Sequence, residues 1–165
     1  FSGAPPRAAR GPRSKRTKTI ALLVSDISNP FFTTIARGVE DFFVDHGFSV
    51  MYCNTDESAE EEEQYLLMLI ERQVDGVLLV PARSTGESFR LLNDHHIPVV
   101  VLDRRIAARN VDSVRCDSEA GAHALTQHLI GLGHRRIAVL TGRRNISTSM
   151  DRVAGCRRAL EEAMG

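Results

Sequence analysis

The stretch Thr19-Ile-Ala-Leu-Leu-Val-Ser-Asp-Ile-Ser-Asn-Pro-Phe-Phe32 decides the fold. Its apolar run, Ile20 to Val24, reads as a buried strand over about 19–25 and stops at polar residues. Asn29-Pro30 then opens a helix, because Asn is a good N-cap and Pro suits the first helical position. Over about 30–46 that helix places Phe32, Ile35, Val39, Phe42, Phe43 and His46 close to one face, and Gly47 suits its stop. The unit is therefore strand, loop, helix, with Asn29, Phe31 and Phe32 at the loop. Ligands of open α/β sheets bind outside the carboxyl ends of the strands. An amide and two rings at that place suit a small polar ring with apolar faces; the plainer alternative is that the rings are ordinary core, which holds as readily for one of them, and the run Asn29–Phe32 after a strand favours the ligand.

Outward from this unit the same alternation continues. Phe48–Cys53 reads as a second strand, and Ser58 with Glu61 is a capping-box pair opening the next helix. The acidic run Glu60–Glu63 sits where the helix dipole favours acids, so it needs no metal to explain it. Val77–Val80 and Ile97–Leu102 are apolar runs typical of parallel strands covered on both faces, with a helix over about 85–95 between them. Val111–Cys116 reads as a shorter fifth strand. Ser118 is expected to cap a helix with Ala122, Leu125, Leu129 and Leu132 inward, and Arg136–Leu140 to form a sixth strand. A polar loop holding Ser147 leads to a last helix over about 149–163, with Arg152 near its start. The alternation predicts an α/β fold with a doubly wound parallel sheet.

The 165 residues carry 21 basic and 21 acidic side chains, unevenly spread. Residues 1–17 are rich in Pro, Arg and Gly and read as a basic linker or arm. Arg7, Arg10, Arg13, Lys15, Arg16 and Lys18 meet no acid in that region, which leaves the body acidic. Such an arm suits a polyanion such as nucleic acid, or is simply a solvated leader. Cys53, Cys116 and Cys156 are odd in number and widely spaced, as expected of reduced, buried thiols in a cytoplasmic protein. No apolar run approaches a membrane span, and no signal peptide is visible in this chain.

The expected catalytic, metal and cofactor sets are empty. The chain contains no Walker A loop and no GxSxG elbow, and Gly131-Leu-Gly133 follows a helix rather than a strand. His123 and His128 stand five apart, about 140° around a helix, and make poor co-ligands. What recurs is polar residues at strand ends: Asn29, Asp103, Arg104 and Arg152. A carboxylate accepts from two hydroxyls and a guanidinium fork donates to two oxygens, which matches a polyol. The plainer alternatives are a surface Asp103–Arg104 ion pair and an exposed helical Arg152.

From Arg16 onward the chain resembles the lactose/galactose-repressor (LacI/GalR) family of transcription regulators. Their effector domain is similar to periplasmic sugar-binding proteins. The resemblance rests on Lys18–Val24, Asn29–Phe32, Gly38-Val-Glu40, Val74–Val77, Ile97–Val100, Asp103-Arg104, Gly131–His134 and Arg152–Gly155, in the family's order. In ribose-binding members of the related periplasmic family, residues of the types of Asn29, Phe31, Phe32, Asp103, Arg104 and Arg152 touch the sugar. The resemblance therefore implies a pentose-like, ribose-type effector. Asp117 matches a further family position, although Ser118 stands where Asn is usual.

The resemblance further implies a cytoplasmic, homodimeric repressor acting on operator DNA, with no enzymatic activity; the alternative is a sugar receptor of a transport system. It divides the chain into a linker at 1–17, a first lobe at 18–117 and the beginning of a second lobe at 118–165. The family's helix-turn-helix is not seen here. Ala8, Ala9 and Arg10 match its hinge helix, but Gly11-Pro12 stands where a leucine normally wedges into the minor groove. The chain alone is thus expected to bind sugar weakly or not at all, to lack specific operator binding, and to expose apolar surface where the family's further strands would pack.

Overall fold

The computed structural model describes residues 16–164, so the hinge-like Ala8, Ala9 and Arg10 and all of the linker 1–17 but its last two residues lie outside the described residues. Strand β1 (Thr19–Val24) is followed by helix α1 (Pro30–Asp45), β2 (Ser49–Asn54), α2 (Ala59–Glu71), β3 (Gly76–Leu79), α3 (Glu87–Asp94), β4 (Val99–Leu102) and β5 (Asp112–Val114). Two helices close the order, α4 (Ser118–Gly131) and α5 (Ser147–Met164). The five strands form one parallel sheet in the order β2-β1-β3-β4-β5. The chain order reverses direction at β1/β3, which is where open sheets of this order leave a crevice at their carboxyl edge.

The alternation along β1 sorts the core into two layers. Ala21 and Leu23 face one side with Leu66, Leu69, Val77, Leu79 and Leu92, under α2 and α3. Leu22 and Val24 face the other with Phe32, Val80 and Leu102, under α1. Cys53 lies in the first layer, where burial pushes its thiol up to about 11 and keeps it inert. Glu62 is buried in the acidic start of α2, accepting from the Ala82 amide and the Ser88 hydroxyl. It ties α2 to the β3–α3 loop, and burial raises its carboxyl above the usual range. Ser58 caps α2 as expected, accepting from the Glu61 amide.

Several expectations give way. Phe42 and His46 lie outside α1 rather than beneath it, stacked ring on ring at 4.3 Å. Asp117, not Ser118, caps α4, and its carboxylate accepts from the Ala120 amide. Leu125 and Leu132 are exposed, because α4 turns its Thr126 side toward α5. The helices meet at Gly155, where a Cβ would stand 2.1 Å from the Glu119 carbonyl oxygen. Arg136–Leu140 is irregular, with Leu140 fully exposed. A strand is defined by its ladder, and among the described residues this segment has no neighbouring strand to bond. Cys116 is exposed, contrary to the expectation of three buried thiols. Helix α5 begins at Ser147, so Ser147 is buried in its first turn, with Ser149, instead of lying in a loop. Among the described residues no helix is long and apolar enough to cross a membrane.

Candidate functional site

A cavity of about 490 Å³ opens beyond the carboxyl edge of the sheet, between that edge and the start of α5. Asn29, Phe31, Phe32, Asp103, Arg104 and Arg152 all line it. Six residues named from their types and positions thus converge from three segments. Asp117 does not line this cavity; its carboxylate is engaged at the α4 cap.

Asn29 both caps a helix and lines the cavity. Its Oδ1 accepts from the Phe31 amide at 3.0 Å to cap α1, which fixes the orientation of the group. The side-chain amide nitrogen keeps its two N–H donors on the other side. The two rings divide the remaining work. Phe32 is buried against Leu22, Val24 and Leu102 and is core as well as cavity wall. Phe31 is 41% exposed and meets Phe32 edge-on, centroids 5.1 Å apart at 73°. That geometry leaves a ring free for the C–H face of a ligand.

Asp103 follows β4 in the left-handed region, at φ 61, with its amide bonded to the Val114 carbonyl oxygen at 2.9 Å. This conformation is uncommon for a non-glycine residue and points to a constrained position. Its side chain is 11% exposed, and burial raises its carboxyl above the usual range, opposed by the Arg104 and Arg152 charges. A desolvated carboxylate bordering a cavity is a strong acceptor for paired hydroxyls.

Arg104 is not the surface residue its neighbours suggested. It is 5% exposed, with Nη1 donating to the Pro81 carbonyl oxygen at 3.0 Å and Nη2 to Ser25 Oγ at 3.0 Å. Nη2 also donates to Glu57 Oε1 at 2.6 Å, while Nε is buried with no hydrogen-bond partner, 3.9 Å from Asp103 Oδ2. Arg104 therefore knits the ends of β1, β3 and β4 beneath the cavity. Arg152 is exposed on the first turns of α5 and faces Asp103 from the opposite wall.

The wall carrying Arg152 is held by a neighbouring pair of bonds. The Arg105 amide donates to Ser147 Oγ at 2.9 Å, and the Arg105 guanidinium pairs with Asp151. So Asp103 and Arg152 line the cavity, while Arg105, two residues after Asp103, and Asp151, next to Arg152, join the two walls. Asp26, Glu57, Arg143, Thr148 and Ser149 also line the cavity and were missed from sequence. Asp26 and Glu57 follow the ends of β1 and β2 by two and three residues, so the carboxyl-edge rule applied to every strand would have found both.

Comparison with known proteins identifies the family of the chain. Residues 17–164 match the model of a family described as periplasmic binding proteins and sugar binding domain of LacI family. The ribose operon repressor of Halalkalibacterium halodurans is 39% identical over 96% of this chain and 46% of its own length. The HTH-type transcriptional repressor PurR of Vibrio atlanticus is 35% identical over 97% of this chain and 48% of its own. A LacI family transcriptional regulator from Enterococcus faecium, solved with bound ribose, superposes with a TM-score of 0.78 at 32% identity. That match covers 88% of this chain and 53% of the other. The chain spans about half the length of the curated relatives it matches. By its match along nearly all of its length, the chain belongs to the family of periplasmic binding proteins and LacI-type sugar-binding domains.

Proposed function

We propose that this chain forms part of the effector-binding domain of a cytoplasmic, homodimeric transcriptional repressor that responds to a small sugar of the ribose type. Residues 18–117 supply the first lobe of that domain and 118–165 the beginning of the second. The observation that carries the reading is the convergence of Asn29, Phe31, Phe32, Asp103, Arg104 and Arg152 on one cavity at the carboxyl edge of the sheet. Phe31 stacks on the C–H face of the sugar, Asn29 donates through its free amide nitrogen, and Asp103 accepts from two hydroxyls. Arg152 donates from the opposite wall, so the ligand bridges the two sides and favours their approach. A ligand moves such an equilibrium only through contacts that differ between the two arrangements, and this bridge is that difference.

Operator binding is proposed for the native-length protein, by analogy with relatives named as repressors, and no catalytic step is proposed. Support for a regulator over a transport receptor comes from the relatives, which are named as repressors. Titration of the native-length protein with D-ribose tests the reading. Saturable binding is expected, weakened at least about tenfold in Phe31→Ala, whose ring contributes apolar contact area. Undiminished affinity in that variant would remove the stacking face from the site.

A further inference from the structure

We propose that Glu57, a residue outside the six named from sequence, is the specificity determinant that reserves this cavity for uncharged polyols over sugar phosphates. The proposal rests on the sugar-site reading above and adds the charge class of the ligand. A phosphate is held best by a guanidinium that offers two parallel N–H donors. The buried cation of the cavity, Arg104, has no such fork to offer. Nη1 is taken by Pro81, Nη2 by Ser25 and by Glu57 Oε1 at 2.6 Å, and Nε is buried beside Asp103. Glu57 makes the shortest of these contacts and is the only acid among them with a hydrogen bond to the guanidinium.

The second carboxylate oxygen of Glu57 faces the opposite wall. Oε2 stands 3.9 Å from Arg143 Nη1, which is itself largely exposed. Arg152 in turn faces Asp103. Each guanidinium of the cavity therefore looks onto a carboxylate, and with Asp26 the lining holds three acids against Arg104, Arg143 and Arg152. A neutral ligand leaves this balance intact, whereas a phosphate meets Glu57 as a like charge.

The backbone of Glu57 is fixed by the two loops, and its carboxylate is then placed by Arg104. Asp56 and Glu57 are consecutive left-handed residues, at φ 48 and 59. The Glu57 amide donates to the Ser25 carbonyl oxygen at 3.0 Å. Asn54 Nδ2 donates to Asp56 Oδ1 at 2.6 Å, and Asn54 Oδ1 accepts from the Ile27 amide at 2.8 Å. Two strained non-glycine residues persist only where the surroundings over-determine them, and here the loops after β1 and β2 do so.

The test is calorimetric titration of the native-length protein with D-ribose and with D-ribose 5-phosphate, in wild type, Glu57→Gln and Glu57→Asp. The wild type is expected to prefer ribose, Glu57→Gln to shift the affinity ratio toward the phosphate by roughly tenfold, and Glu57→Asp, which keeps the charge, to retain the preference. If Glu57→Gln weakens both ligands equally, Glu57 merely supports Arg104 and the proposal is overturned while the sugar site stands. Wild type binding the phosphate as tightly as ribose overturns it too, even if the Gln variant does not fold. If wild type binds neither, the sugar-site reading fails and this inference with it.

Discussion

Asp103, at the cavity, illustrates how a residue proposed to bind costs stability before a ligand arrives. Its carboxyl is raised by burial, so its folded-state value lies above the ordinary 3.8. The native state then holds the proton more tightly than the unfolded chain. Stability from this group is fullest below the unfolded value and is lost as pH rises through the folded one. At neutral pH the ionised side chain is a net cost. Asp103→Asn keeps a residue that tolerates the left-handed backbone and removes the charge. Thermal denaturation is expected to show a higher Tm for Asp103→Asn at pH 7, with the gap closing toward pH 3, together with loss of sugar binding. A lower Tm at neutral pH would mean that the carboxylate gains more from Arg104 and Arg152 than burial takes away. The sequence named Asp103 and Arg104 as a pair, but it could not show how the two divide the cavity lining, with Arg104 the more buried and tied to distant partners. That division depends on Ser25, Pro81 and Glu57, which come from three other parts of the chain.

Among the elements, α1 and the α4–α5 pair differ in how far local chemistry reaches. Asn29, Pro30 and Gly47 mark the ends of α1 by capping and conformational preference alone, and the helix runs between them. The α4–α5 contact follows instead from backbone proximity at Gly155, which no periodicity reports. A methyl group there would meet the Glu119 carbonyl oxygen and the His123 amide, both backbone atoms that cannot swing aside. Gly155→Ala is expected to destabilise the pair by about 2 kcal/mol in chemical denaturation, as overpacking does. Gly121→Ala, on the open side of α4 with nothing within 4 Å, is expected to stabilise it by up to about 1 kcal/mol through helix propensity. Equal effects from the two substitutions would remove close approach as the reason for Gly155. The segment 136–140 carries the same lesson in reverse. Its apolar run is strand-like, yet strand formation needs a partner, and the described residues supply none.

For the whole molecule, the proposed regulation turns on a ligand that spans Asp103 and Arg152, which line opposite sides of the cavity. In the native-length protein, Arg152→Ala is expected to abolish the sugar response while leaving operator affinity in the absence of sugar unchanged. Operator binding measured with and without ribose checks both halves, and a response at unchanged sugar concentration would remove Arg152 from the site. By itself the sequence determined the parallel α/β order, the start and stop of α1, and the six residue types at the cavity. Strand burial, helix capping and the carboxyl-edge position are local or topological properties, so composition and spacing carry them. Only the tertiary structure decided that Phe32 is core while Phe31 is free, that Arg104 is buried, that Asp117 serves a helix cap, and that Glu57 enters the site. Each of those depends on which distant segment comes to lie against the residue, and chain-local patterns hold no record of that.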